Sequence, residues 1–393
     1  MMEKNLACGV ELSRLGFGTM RLPVDKAGAI DQVELEKMTD FALANGVNYF
    51  DTAYPYMGGK SEQAIGKALG KYPRDQFYLA TKYPGHQIAP TYDPAAVFED
   101  QLKNCGVDYF DFYLLHNVYE NSIPVYTDKK WGIIDYFKEQ RAKGRIKHLG
   151  MSSHARPATL AKFLDEYGQD LEFVQIQLNY LDWTLQDAKQ KYDIITAHNL
   201  PIWVMEPVRG GKLANLPEEQ GTKLKQLRPA ESCAAWGFRW LLGLPNVKMI
   251  LSGMSNFAQM QDNVKTFSGG QPLTEAERNL LLEIAELLKN ALPCTACRYC
   301  CDGCPKKLDI PFLISIYNDL NYQIGFNPAM QMDAIPKEKW PDQCLACGRC
   351  KRICPQNIDI PQAMKGLVEL LEKAPKWVEI CKERAAAKAS ACS

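Results

Sequence analysis

Val47-Asn48-Tyr49-Phe50-Asp51-Thr52-Ala53-Tyr54-Pro55-Tyr56 opens as a short apolar run of β-forming residues and ends that run on an aspartate. It then passes through Pro55 toward Ser61–Leu69, whose apolar residues recur every three or four positions. A strand followed by an amphipathic helix is one β-α unit. The rhythm repeats on both sides. Strand candidates are a Gly-rich run at Leu15–Leu22, then Val47–Phe50, Phe77–Ala80, Phe110–Leu115, Ile146–Gly150, Phe173–Leu178, Ile202–Met205 and Val247–Leu251. Helical segments lie between them at Glu34–Ala44, Pro94–Asn104, Ile133–Lys143, Ala158–Glu166 and Ala230–Leu241. The strands are near-continuously apolar rather than alternating, as in a parallel sheet covered on both faces. Eight of them in about 270 residues favour an α/β chain closed into a (β/α)8 TIM barrel over an open doubly wound sheet. No GxGxxG follows the first strand, so a Rossmann domain has no support.

The chain has 393 residues, 46% of them hydrophobic and 23% charged, which excludes disordered and fibrous classes. That length suits a barrel over residues 1–275 and a second unit over 276–393. Lys+Arg and Asp+Glu both number 46, so no net field draws the chain to nucleic acid or an anionic membrane. A small molecule or another protein is the expected partner. Neither a signal-peptide core nor a membrane-spanning apolar run is legible, and a cytoplasmic protein is expected. Nine of the fourteen cysteines fall between Cys294 and Cys354, a density that points to metal. The scattered Cys8, Cys105, Cys233, Cys381 and Cys392 read as small hydrophobes.

In a (β/α)8 barrel the chemistry sits where strands end, at the C-terminal mouth. Polar residues recur there: Gly18-Thr19-Met20, Asp51, Lys82, His116, Ser152-Ser153, Gln177 and Asn179, Glu206, and Ser252-Gly253. Any one of them alone reads as a helix cap or a solvated side chain. Their recurrence at successive strand ends is what that bland reading leaves unexplained.

With Phe50-Asp51-Thr52-Ala53-Tyr54-Pro55-Tyr56 followed by Gly58-Gly59-Lys60-Ser61-Glu62, residues 8–265 resemble the aldo-keto reductase superfamily. The resemblance implies a nicotinamide-dependent carbonyl reductase, running in reverse as an alcohol dehydrogenase. Its four-residue active site falls on Asp51, on Tyr56 five residues later, on Lys82 and on His116. It also implies that NAD(H) or NADP(H) is held by Gly18, Thr19, Met20, Asp51, Ser152, Ser153, Gln177, Met205, Gly210, Gly211, Ser252, Gly253 and Asn263. Tyr54 is a decoy, separated from Tyr56 only by spacing. Reduction delivers a hydride to carbon, from a nicotinamide the protein orients, and a proton to oxygen. A phenol ionises near pH 10, so Lys82 is expected to lower the pKa of Tyr56 by favouring its anion. Asp51 pairs with Lys82, and His116 orients the substrate oxygen.

Two departures bear on the cofactor. Met205-Glu206-Pro207-Val208-Arg209-Gly210-Gly211 stands where many members place an aromatic that stacks on the nicotinamide. Asn256 and Gln259 stand where many carry cations for the adenosine 2′-phosphate, which makes NADH at least as plausible as NADPH.

Cys294-x2-Cys297-x2-Cys300-x3-Cys304-Pro305 and Cys344-x2-Cys347-x2-Cys350-x3-Cys354-Pro355 carry the spacing of bacterial two-cluster ferredoxins. The second run repeats the first fifty residues on, through Leu308-Asp309-Ile310-Pro311 and Ile358-Asp359-Ile360-Pro361. Structural zinc spaces two Cys-x2-Cys pairs more widely. In such domains the fourth cysteine of each run ligates the other [4Fe-4S] cluster. Cluster one then takes Cys294, Cys297, Cys300 and Cys354, cluster two Cys344, Cys347, Cys350 and Cys304, and Cys301 is spare. Helical patterns at Phe312–Leu320 and Ala363–Leu371 suggest a helical ferredoxin-like unit, and Lys376–Ala389 a solvated tail helix.

Hydride chemistry moves two electrons and a cluster passes one, while no flavin motif is legible. Three readings follow. The clusters wire a carbonyl reductase to an external one-electron carrier, a ferredoxin or flavoprotein. The chain is an electron-transfer protein of a larger complex whose barrel only binds. The clusters are structural or sense oxygen. The intact set of Asp51, Tyr56, Lys82 and His116 favours the first.

Overall fold

The computed structural model describes residues 2–289, 292, 294, 298–322, 324–354 and 358–382. They form two compact units, one reaching to Tyr180 and resuming over Ala188–Arg278, the other comprising Leu181–Asp187 and the chain from Asn279 onward. The expected division is at 275/276; the compact units change over at Arg278/Asn279, and Leu181–Asp187 packs with the second unit.

The first unit opens with an antiparallel hairpin, β1 (Lys4–Ala7) and β2 (Val10–Ser13), in register from Lys4↔Ser13 to Ala7↔Val10. Its two-residue turn is Cys8-Gly9, with φ of 51° and 76°, both left-handed as a type I′ turn requires. Eight parallel strands follow: β3 (Leu15–Gly18), β4 (Tyr49–Asp51), β5 (Tyr78–Tyr83), β6 (Phe110–Val118), β7 (Ile146–Ser153), β8 (Val174–Gln177), β9 (Ile202–Met205) and β10 (Val247–Ser252). They close in sequence order, β10 pairing with β3. The (β/α)8 barrel read from the sequence is the fold.

Several strands run further than their apolar cores. β5 reaches Tyr83, β6 Val118 and β7 Ser153, so Lys82, His116 and Ser152-Ser153 lie within the strand ends instead of just past them. Polar side chains are tolerated there because they are hydrogen-bonded.

The hairpin covers the end of the barrel where strands begin. Ala7 and Leu12 are buried in one cluster with Tyr49, Phe112, Phe173, Trp203 and Met249. Phe173 and Trp203 lie with ring centroids 4.6 Å apart. Each fully buried ring contributes on the order of 1.5–3 kcal/mol. Helix starts are fixed by capping side chains. Asp31 Oδ1 accepts from Glu34 N at 3.0 Å ahead of Gln32–Ala44, and Asp93 Oδ1 accepts from Ala96 N at 2.9 Å ahead of Pro94–Cys105. Gly66 of helix Ser61–Leu69 is a packing requirement, since an added Cβ would lie 2.5 Å from the Cys105 carbonyl oxygen.

The second unit carries the fifty-residue repeat into three dimensions. Arg298 and Gly348 both adopt left-handed φ, 66° and 72°, ahead of short helices Tyr299–Asp302 and Arg349–Ile353. Longer helices Ile310–Tyr322 and Ile360–Lys373 follow, both opening on Ile-Pro, as the sequence pattern indicated. Leu308, Ile310, Leu313, Ile358, Ile360 and Leu367 are buried in a shared core. The expected solvated tail is corrected in part: Trp377 and Cys381 are buried, while residues from 383 lie outside those described. Of the other scattered cysteines, Cys105 is buried, Cys8 and Cys233 are half-buried, and Cys392 lies outside the described residues. No helix among the described residues is long and apolar enough to cross a membrane.

Candidate active site and cluster sites

β4 ends on Asp51 and β5 carries Lys82, and the parallel register of the two strands sets them side by side. The Lys82 ammonium donates to Asp51 Oδ1 at 2.5 Å and to the Thr52 carbonyl at 2.7 Å. Neither side chain is more than 3% exposed. Burial works against the charge on Lys82, but Asp51 and then Tyr56 outweigh it, so its pKa rises and it stays an ammonium. The buried carboxylate is in turn held by that ammonium.

Tyr56 packs against this pair. The Lys82 Nζ lies 4.9 Å from the centre of its ring, and the ring meets His116 edge-on at 5.6 Å. Tyr54 points elsewhere, its hydroxyl donating to Asp100 Oδ2 at 3.3 Å. Of the two tyrosines, Tyr56 is the one whose ring lies beside Lys82. The expected lowering of the Tyr56 pKa is corrected. Burial raises it above 10, and the attraction of Lys82 recovers only part of that rise. The phenol keeps its proton at neutral pH.

The Ser61-Glu62 pair of the sequence motif supports this set from beneath. Ser61 Oγ bonds Thr19 Oγ1 at 2.7 Å and Thr52 Oγ1 at 2.9 Å. Glu62 is fully buried and accepts from Thr81 Oγ1 at 2.6 Å and Gln101 Nε2 at 2.8 Å, while Gln101 Nε2 also reaches the Lys82 carbonyl at 3.1 Å. Gln101 was not legible as a site residue, because the carboxylate that places it is 39 positions away. His86 was missed as well. It lies four residues past Lys82, buried, with its ring 4.4 Å from that of His116.

The other candidates sit at adjacent strand ends. Gly18 is in register with Asp51, Ser152 with Gln175, and Gln177 with Met205. Several of their polar groups are already engaged. Thr19 Oγ1 donates to the Asp51 carbonyl at 3.0 Å, Ser152 Oγ accepts from Asn117 N at 2.8 Å, and Ser153 Oγ donates to the Val118 carbonyl at 2.7 Å. Asn263 Nδ2 donates to Ser252 Oγ at 2.9 Å. Met20 is exposed, and Gly210 and Gly211 form a left-handed turn with φ of 62° and 94°. Glu206 pairs with Arg21 at 2.8 Å, a partner the sequence did not reveal. Asp51 Oδ2, like Gln175 Oε1, is buried with no hydrogen-bond partner among the described residues, which fits a hydroxyl donor such as a ribose. Asn256 Oδ1 accepts from Gln259 N at 2.9 Å as a helix cap, and Gln259 Oε1 accepts from Ser255 N at 2.8 Å. Both neutral side chains serve the backbone.

In the second unit, Cys304 of the first run lines one cavity with Cys344, Cys347 and Cys350 of the second. Leu308, Ile310, Ile360 and Met364 supply apolar walls, the surroundings four thiolates need to hold a compact cluster. Cys294, Cys300 and Cys354 pack on the same apolar core, with Cys301 beside them, while Cys297 lies outside the described residues. Burial, then the neighbouring Cys301 and Cys294, push the Cys300 thiol up to about 12. Crowded thiols of this kind ionise when a cation neutralises them.

Residues 14–286 match the Aldo/keto reductase family and residues 293–358 the 4Fe-4S dicluster domain. Among curated proteins, the chain is similar to the uncharacterized oxidoreductase YqkF of Bacillus subtilis. The two are 23% identical over 298 residues, 68% of this chain and 91% of that protein. It is also similar to the NADH-specific methylglyoxal reductase of Escherichia coli, 25% identical over 328 residues, 71% of this chain and 97% of that protein. Among solved structures, the holo form of the aldo-keto reductase AKR11C1 from Bacillus halodurans is 27% identical with a TM-score of 0.58. That match covers 72% of this chain and 96% of the other.

Proposed function

The chain belongs to the aldo/keto reductase family and carries a 4Fe-4S dicluster domain, and from that premise we propose a cytoplasmic, nicotinamide-dependent reductase of small aldehydes or ketones, with two clusters passing electrons to an external one-electron carrier. The observation that supports it is the convergence of Tyr56 and His116 on the buried Lys82–Asp51 pair.

Bound nicotinamide supplies the hydride. The chain's own residues do the rest. Tyr56, protonated in its resting state, donates its proton to the carbonyl oxygen, and Lys82 steadies the tyrosinate left behind. His116 holds the oxygen in reach. Asp51 keeps Lys82 in place and offers its free oxygen to a ribose hydroxyl. Ser152, Ser153, Gln177, Ser252 and Asn263 would help to hold the nicotinamide cofactor. NADH is preferred, because Asn256 and Gln259 give a 2′-phosphate no charge, and the similar protein from Escherichia coli is named for NADH specificity. Cys294, Cys297, Cys300 and Cys354 would hold one cluster, and Cys344, Cys347, Cys350 and Cys304 the other. A flavin belongs to the electron partner, where a hydride pair can be split into single electrons.

Full-length protein purified without oxygen tests this reading. Iron, sulfide and flavin are assayed, and oxidation of NADH and NADPH is followed with a panel of small aldehydes and ketones. Carbonyl-dependent NADH oxidation is expected. Its absence across the panel, together with no alcohol oxidation in reverse, would overturn the proposal.

A further inference from the structure

The end of the barrel opposite the reaction mouth holds a second cluster of ligand-type side chains. Cys8 sits in the hairpin turn, His148 near the start of β7, and Glu172 just ahead of β8. One ligand atom from each lies within 4.8 Å of the other two. His148 Nδ1 is 2.7 Å from Glu172 Oε2, and the Cys8 thiol donates to the Glu172 carbonyl at 3.6 Å. Nothing in the reductase chemistry uses them.

We propose that Cys8, His148 and Glu172 bind a zinc-class divalent cation on the barrel floor. Thiolate, imidazole and carboxylate together are the donor set that zinc takes, with water in the fourth position. Zinc bonds of about 2.0–2.3 Å at tetrahedral angles set donor atoms about 3.3–3.8 Å apart, so movements on the order of 1 Å close the site. The surroundings orient the donors. Arg141 Nη1 at 3.3 Å and Leu149 N at 3.4 Å both hold Glu172 Oε1, which leaves Oε2 on the side of His148. The His148 ring is fixed against Phe112, centroids 4.8 Å apart.

The turn supplies an independent observation. Its first position, at φ 51°, favours Asn, Asp or Gly, and a β-carbon with a sulfur on it is a costly occupant. A coordinating thiolate gives that residue a use. Binding replaces the Cys8 S–H bond by an S–metal bond and releases that proton to solvent, while the His148 proton moves from Nδ1 to Nε2 so that Nδ1 can coordinate. The cation would pin the hairpin to β7 and β8.

The test uses full-length, anaerobically purified protein with its iron–sulfur clusters intact, dialysed to equilibrium against zinc chloride. Zinc and iron are then counted together. One zinc per chain is expected beyond the cluster iron, with a rise in melting temperature on zinc addition. Cys8→Asn suits the turn and keeps the hairpin folded, so it should hold its iron while binding zinc at least about 100-fold more weakly, since losing a ligand costs more than losing a supporting partner. Its melting temperature should ignore zinc. His148→Gln should behave likewise, and Cys105→Ser, away from the site, should bind as the parent does. Absence of zinc beyond the clusters, or retention of it in Cys8→Asn and His148→Gln, would overturn the proposal.

Discussion

The hydroxyl of Tyr126 donates to the carbonyl oxygen of His116 at 2.7 Å. It also lies 3.0 Å from the Tyr83 carbonyl, so one phenol ties the ends of β5 and β6 together. Gly85 is what admits the ring, because a Cβ there would lie 2.7 Å from it. Tyr126→Phe leaves two carbonyls sharing no donor. A loss of about 1–3 kcal/mol is expected in denaturant unfolding, with reduced turnover as His116 loosens. Unchanged stability and turnover would remove Tyr126 from the support of the site.

Tyr56 and Tyr54 make opposite forecasts. Tyr56→Phe should lower kcat about 10²-fold or more while cofactor binding holds, and Lys82→Met should resemble it. Tyr54→Phe should retain most activity, because its hydroxyl faces Asp100. Steady-state kinetics of the three variants with one carbonyl substrate decides the assignment.

The pH dependence follows from burial. The Tyr56 pKa lies above 10, so below that value the phenol is protonated and competent to donate. Reduction should therefore be level through neutral pH and fall only in strong alkali. Alcohol oxidation needs the tyrosinate and should climb across the same range. A fall in reduction near pH 7 would point to a different acid.

For the clusters, anaerobic protein should carry about eight iron per chain. Cys304 lines the cavity of Cys344, Cys347 and Cys350, so Cys304→Ser should reduce iron toward about four and injure that cluster, not the one nearest it in sequence. Cys301→Ser should keep both. Iron counting and electron paramagnetic resonance of the reduced variants distinguish the outcomes.

Arg228 and Glu277 give an acid-stability test. Nε and Nη2 of Arg228 reach the two Glu277 oxygens at 2.7 and 2.8 Å, and that fork, joined by the N–H and hydroxyl of Thr274, lowers the carboxyl from 4.5 to about 2. A carboxyl depressed on folding stabilises the fold above its unfolded value, and the contribution drains away as pH falls from about 4.5 toward 2. Glu277→Gln should flatten the parent's loss of melting temperature over that interval.

Which features the sequence disclosed follows from how local their causes are. The barrel strands were legible because strands buried on both faces are continuously apolar, as Phe110–Leu115 is. The hairpin β1–β2 was not, since Lys4-Asn5-Leu6-Ala7 carries two polar residues and Cys8-Gly9 is not a favoured turn pair. Asp51 and Tyr56 were legible through a short motif, and Lys82 through its place at a strand end. Gln101 and Arg21 were not, because their partners, Glu62 and Glu206, lie far along the chain. The direction of the Tyr56 shift was misread, since spacing reveals the nearby cation but not the depth of burial that outweighs it.

The assignment of Leu181–Asp187 to the second unit means the chain passes from one unit to the other at 180/181, 187/188 and 278/279. Gln186 Nε2 bonds Asp319 Oδ2 at 2.5 Å across 133 residues. At 5–20 residues per second, Asp319 leaves the ribosome roughly 7–27 s after Gln186. The connection after β8 must wait that long for its packing, with the barrel's later strands already made. Synthesis therefore leaves a segment that interrupts the barrel's sequence waiting for its partner in the second unit, and a stall before Asp319 leaves that segment without it.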